Sequence, residues 1–181
     1  MTENVRENVL KEARRIEEDN LYSAKGQFVM ANFWSRFHLW IGVPTAILAA
    51  IASASALSQF DNHNLIAGIL AIVVTGLTAV TTFVNPNEKA SAHRNSGNKY
   101  NSLRNRARIF REVDSQTAKS EQVLTDRLKQ LAGERDELNQ SSPPVFRWAY
   151  IRAKKGIQEG EADYEADEHS AQPQRLNRQN P

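Results

Sequence analysis

Residues 39–57, LWIGVPTAILAAIASASAL, and residues 64–84, NLIAGILAIVVTGLTAVTTFV, contain no charged side chain, and the polar break between them, ALSQFDNHNL at 56–65, decides the fold. Either it is a turn between two core helices of a soluble protein, or it is the tip of a membrane hairpin. As a helix the first run reaches about 28 Å and the second slightly more, close to the roughly 30 Å hydrocarbon core of a bilayer. A soluble helix of that length presents a polar stripe to water every three or four residues, and neither run has a charged one. Two helices apolar all round would need several further apolar helices to cover them, and the rest of the chain offers only narrow stripes. The break therefore reads as a hairpin tip, with Phe60 at the interface. A cleaved signal peptide fits poorly, because the first run starts near residue 38, exceeds an ordinary apolar core segment and is followed by a second span.

Working outward, the charges orient the hairpin. The link has no Lys or Arg, whereas the second run is followed by Lys89, Arg94, Lys99, Arg104, Arg106, Arg108 and Arg111 against a single acid, Glu88. Lys25 and Arg36 precede the first run. The positive-inside rule then puts both termini in the cytoplasm.

Composition excludes several functions. The 181 residues carry a net charge of +2, which gives no reason to expect a nucleic-acid partner, and their 40% hydrophobic content is concentrated between Phe37 and Val84. Without cysteine there are no disulfides and no thiolate metal ligands. No GxxxxGK[ST], GxSxG or HExxH pattern occurs, and His38, His63, His93 and His169 are widely scattered. No catalytic residue, metal site or cofactor is expected, and the chain does not read as an enzyme.

Within the spans, Ala46, Ala50 and Ala54, and Ala67, Ala71, Thr75 and Ala79, follow the small-xxx-small spacing that lets helices approach closely, which favours a packed hairpin and a homo-oligomer. Thr75, Thr78 and Thr82 share one face of the second span, and Thr45 and Ser53 lie within one broad face of the first. These five hydroxyls are the candidate pore-lining residues. The plainer alternative is that they bond preceding carbonyls or bridge the two helices. Pro44 reads as helix-start chemistry of the first span, with a gating hinge as the alternative, and Pro86 as the end of the second.

From Tyr100 the pattern becomes heptad. Leu103, Phe110, Thr117, Leu124, Leu131 and Leu138 recur every seven residues, with Tyr100, Ala107 and Leu128 complementary to them, while Asp114, Glu121 and Arg135 interrupt. This predicts one long cytoplasmic helix, packed against an N-terminal stripe of Val5, Val9, Ile16, Leu21, Ala24, Phe28 and Ala31. The prolines of SSPPVF break the helix. Phe146, Tyr150, Ala153 and Ile157 then form a short amphipathic helix flanked by Arg147, Trp148, Arg152, Lys154 and Lys155. It either lies on the membrane surface or folds back onto the long helix. The expected organisation is an N-terminal cytoplasmic helix at 1–36, spans at 37–57 and 64–85 joined by a turn at 58–63, the long helix at 86–142, the short helix at 143–160 and a disordered acidic and polar tail at 161–181. The fold class is all-α, a two-helix transmembrane hairpin with a cytoplasmic helical bundle.

Two segments give the order of parts a more specific character: NPNEKASAHRNSGNKYNSLRNRARIF after the hairpin, with Pro86, Glu88, His93 and Tyr100, and LNQSSPPVFRWAYIRAKKGIQEGEADY near the end. Over about residues 5 to 165 the chain resembles the SLATT family, two-transmembrane effector domains associated in bacteria with SMODS nucleotidyltransferases and SLOG nucleotide sensors. The resemblance implies a pore-forming or membrane-perturbing effector of conflict systems such as anti-phage defence, which dissipates the membrane gradient when triggered. It also implies a separate nucleotide-signal synthase or sensor as partner, since neither domain is readable in this chain. The alternative is a membrane-anchored scaffold that recruits a cytoplasmic partner and passes no ions.

Three further residues, Glu88, His93 and Tyr100, are juxtamembrane candidates for gating or for stabilising a turn. Arg104, Arg106, Arg108 and Arg111 are candidates for contacting lipid headgroups or a nucleotide signal, or else form a solvated face that reinforces topology.

Overall fold

The computed structural model describes residues 3–118 and 120–162, with side chains from Val5 onward. Every element among them is helical: α1 (Glu3–Ala56), α2 (His63–Val84), α3 (Pro86–Ile109), a π-helical stretch (Phe110–Asp114), the single turn α4 (Ser115–Thr117), α5 (Glu121–Ser141) and α6 (Arg147–Gln158). The expected tail at 161–181 lies almost wholly outside the described residues.

The segments read as a cytoplasmic helix and a separate first span are one helix. α1 runs unbroken for 54 residues, about 80 Å. Pro44 sits deep inside it, not at a helix start. Proline lacks the N–H that would bond the Trp40 carbonyl four residues back, and next to it the Thr45 hydroxyl donates to the Ile41 carbonyl at 2.7 Å.

α2 packs along the C-terminal half of α1 and α3 along the N-terminal half, both antiparallel to it. The covered side of the hairpin includes Ile41, Thr45, Leu48, Ala52 and Ser55 of α1 and Ala67, Leu70, Val74, Leu77 and Thr81 of α2. The outer faces are uncovered, with Trp40 79%, Ile72 74% and Phe83 91% exposed, so these helices are not the core of a soluble bundle. The small-residue stripes do not pack the hairpin as expected. Ala46, Ala50 and Ala54 are exposed on the back of α1, and of the second stripe only Ala67 is partly covered.

α2 and α3 are joined by one residue, Asn85, in the left-handed region at φ 44°, ψ 62°. Its N–H donates to the Thr81 carbonyl and its own carbonyl accepts from Lys89 N–H, so it ends one helix and begins the next. Asparagine tolerates this conformation better than most side chains, and Pro86 follows at the first helical position, where its missing N–H costs nothing.

The expected single helix over 86–142 is instead two helices folded against each other. The chain leaves α-geometry through the π-helical stretch, and Ala118 and Ser120 are extended. Ser120 restarts the helix as an N-cap, accepting from Val123 N–H, with Glu121 in the first turn. Hence the heptad seam closes on itself: Leu103, Ala107 and Phe110 of α3 and its extension meet Leu124 and Leu131 of α5, with Val9, Ala13 and Ile16 of α1 completing the core. Tyr100 donates to Asn139 at 3.0 Å and Arg106 pairs with Glu134, which fixes the antiparallel register of α3 and α5. α6 packs on α1, not on the long helix, through Tyr22 with Tyr150 and Phe33 with Trp148.

Close packing of α1 on α3 depends on Gly97, where an added Cβ would lie 2.8 Å from the Phe28 ring. Gly133 on α5 has open space around it. Gly97→Val is expected to destabilise the bundle by about 1–3 kcal/mol through overpacking. Gly133→Ala is expected to stabilise it by about 0.5–1 kcal/mol through helix propensity. Denaturant titrations in detergent, followed by circular dichroism, check both signs.

Candidate functional site

The seam between α1 and α3 continues toward the apolar hairpin with smaller and more polar residues among its large ones. On α3 it consists of Pro86, Ala90, His93, Ser96, Gly97 and Tyr100, and on α1 of Asn20, Ala24, Gln27, Met30 and Ala31, all buried. Small residues bring the helices together, and one polar pair, His93 with Gln27, meets across them. His93, 4% exposed, has Nδ1 2.6 Å from Gln27 Oε1. Gln27 Nε2 donates to the Pro143 carbonyl at 2.9 Å. That carbonyl can only accept, so the amide of Gln27 must turn its oxygen to His93, and His93 must carry its proton on Nδ1. A single polar chain thus joins α3, α1 and the Pro143–Pro144 break, within about 10 Å along α3 of its start at Pro86.

Burial lowers the His93 pKa from its ordinary value, because the buried imidazolium would lose its hydration. Asn20 is a second buried polar residue of the seam. Its Nδ2 donates to the Ile16 carbonyl at 2.7 Å, while its Oδ1 has no protein partner among the described residues.

The three juxtamembrane candidates separate in space. Glu88 is exposed and accepts from the Asn85 side chain, bracing the α2–α3 turn. His93 faces α1, and Tyr100 reaches α5. Glu88 and His93 therefore form no common contact. Tryptophan and lysine add a further tie beside the turn, with Lys89 Nζ 4.6 Å from the Trp34 ring centroid.

The hydroxyls do not converge on one axis within a single chain. Thr45 is half-buried against α2, Ser53 is exposed on the back of α1, and Thr75, Thr78 and Thr82 occupy one exposed flank of α2. Ser53 donates to Ala49 O, Thr75 to Ala71 O and Thr82 to Thr78 O, at 2.8–2.9 Å. Such bonds shield the hydroxyl protons from lipid without requiring a second helix.

The basic candidates lie far from the bilayer. Arg104 is about 27 Å and Arg111 about 37 Å along α3 from Pro86, beyond the reach of headgroups beside the hairpin. Arg111 donates twice to Glu17 of α1, at 3.0 and 3.1 Å, and Arg106 pairs with Glu134 of α5, so both act as ties inside the bundle. Arg104 and Arg111 also border a cavity of about 380 Å³ together with Arg14, Glu17 and Glu18. The carboxylates there offset the positive field that an anionic signal would need.

Gln27, Asn20 and Asn85 are the residues that sequence reasoning missed. Gln27 and Asn20 sit on the same 3–4 spacing as Val9, Ala13, Ile16 and Ala24, so a polar residue interrupting an apolar stripe was the available signal.

A family model described as SMODS and SLOG-associating 2TM effector domain family 4 matches residues 10–169. No curated protein and no solved structure matches the chain.

Because the folded-state pKa of His93 lies below the unfolded value, the unfolded chain binds the extra proton first. The stability from neutral His93 is present above the unfolded pKa of about 6.5 and is lost as pH falls through the folded value. Hydrogen exchange of the α3 amides should therefore quicken between about pH 7 and pH 5, after correction for intrinsic rates. In His93→Asn that increment should be absent.

Proposed function

The chain belongs to the SMODS and SLOG-associating 2TM effector domain family 4, and from that membership we propose that this membrane protein is a triggered effector of the bacterial inner membrane that permeabilises or perturbs the bilayer and arrests or kills the cell. Both termini are cytoplasmic in this reading, which rests on the seven cations after the second span and the uncharged hairpin tip. A two-helix hairpin cannot enclose a path by itself, so permeation requires several copies.

The observation that carries the proposal is the flank of α2 bearing Thr75, Thr78 and Thr82. It stands beside the α1 interface, free of any partner among the described residues, while the bulky Leu65, Ile69, Ile72 and Phe83 occupy the back of the same helix. With the Thr75 and Thr82 hydroxyls bonded to their own helix, this face tolerates lipid in the resting state and, in an assembled ring, still has oxygen lone pairs to offer water. The trigger would come from a separate nucleotide-signal synthase or sensor acting on the cytoplasmic bundle. The single-residue joint at Asn85 supports transmission, because moving α3 along α1 must move α2.

The self-bonded hydroxyls favour a second reading, a scaffold that recruits a cytoplasmic partner and conducts nothing. A polar cavity of about 610 Å³ bordered by Glu18, Asp19, Arg135, Asn139 and Lys154 offers such a partner a surface.

Membrane potential, followed by a voltage-sensitive dye in bacteria expressing the chain with its sensor and its trigger, separates the two. For a pore, triggered wild type should depolarise the cells, and Thr78→Lys should change that by at least severalfold at equal membrane levels. Ile72→Lys should mainly reduce insertion. Retained toxicity with an unrelated anchor in place of the hairpin, and no depolarisation, would select the scaffold.

A further inference from the structure

We propose that the cleft between α1 and α6, at the bundle end of the membrane hairpin, is a binding site for an anionic phospholipid, with the headgroup phosphate held by Arg36 and Arg152 and the upper acyl region against Phe33, Phe37, Trp40 and Trp148. The proposal rests on the membrane reading of the hairpin and is independent of pore formation.

The cleft has a volume of about 310 Å³ and is bordered by all six residues. It lies where the bundle meets the first apolar run. Phe33 stands edge-on to Trp148 at 5.3 Å between ring centroids and is 6.2 Å from Phe37, so α6 closes one wall. At the membrane side the wall continues into Trp40, which is exposed at the start of the uncharged run. Aromatic residues at this depth suit the boundary between headgroups and acyl chains.

The two arginines come from different helices and border one apolar cleft. Among the described residues, neither Arg36 nor Arg152 makes an ion pair or hydrogen bond, whereas Arg106, Arg111 and Arg135 all have carboxylate partners. Two like charges bordering one cleft with aromatic walls, and with no carboxylate among its bordering residues, repel each other and favour a bound anion. Guanidinium matches phosphate through paired N–H donors. A free phosphate would leave the aromatic walls unused, and a neutral lipid would leave both charges uncompensated. A phospholipid with a net negative headgroup satisfies both parts of the cleft.

The test uses the full chain in nanodiscs with Trp34→Phe and Trp40→Phe, which leaves Trp148 as the only indole and keeps aromatic walls. Phosphatidylglycerol or phosphatidylcholine brominated near the top of the acyl chains is titrated in at low mole fraction, and quenching of Trp148 is read. The expected result is a preference of about tenfold for phosphatidylglycerol, falling to about twofold or less in Arg36→Gln/Arg152→Gln. Lys154→Gln/Lys155→Gln removes the same charge from α6 outside the cleft and is expected to keep most of the preference. Unequal quenching that both double variants reduce alike would overturn the site in favour of general surface charge. Inorganic phosphate that abolishes the preference at matched ionic strength would overturn the lipid assignment. Equal quenching by the two lipids overturns this proposal alone, and no quenching by either overturns the membrane reading with it.

Discussion

The structure depends on α1 running without interruption from the bundle into the apolar run. A helix rises about 1.5 Å per residue, so one rigid rod of 54 residues carries both a bilayer-length apolar half and a water-facing half. Any helix that packs on the first half and then on the second must stay nearly parallel to that rod across the boundary. α2 and α3 do this with a single left-handed residue between them, Asn85, which leaves no slack for the two halves to move independently. Packing on the polar side is thus mechanically joined to packing in the membrane.

Buried polarity is placed where this joint is closest. The chain from His93 through Gln27 to the Pro143 carbonyl replaces water with directed hydrogen bonds, and the directions are imposed by a carbonyl that can only accept. Apolar residues at these positions would have held the helices together, but without selecting one register. A satisfied polar chain does select one, because a slip by one residue would leave each group buried without a partner.

The functional reading follows from which surfaces remain uncovered. The bundle buries its stripes on α1, α3 and α5, leaving the hairpin's outer faces and the cleft under α6 open. In the proposed reading, the uncovered hydroxyl flank serves assembly and permeation, and the arginine pair in the aromatic cleft serves the leaflet beside it. The distribution of the other arginines sharpens this division. Arg106 and Arg111, read along the chain as part of one basic patch, are spent on carboxylates of neighbouring helices.

The all-α class, the two spans and the hairpin were legible in the sequence, because an uncharged run as long as a bilayer is thick has few other uses. The heptad residues were legible too, and most of them are buried. What periodicity could not reveal was that the seam folds at Ala118–Ser120. A heptad pattern records which side of a helix is apolar, and it reads the same whether that side meets another element or its own continuation turned back; the structure alone shows Ser120 restarting the helix as a cap. The continuity of α1 was equally hidden, since the change from charged to apolar residues near Phe37 marks a change of solvent and not a change of backbone. The pairing of His93 with Gln27, 66 residues apart, and the meeting of Arg36 with Arg152 in one cleft were decided by tertiary structure alone. Composition fixes which surfaces must leave water, and only packing decides which distant side chains share the space that remains.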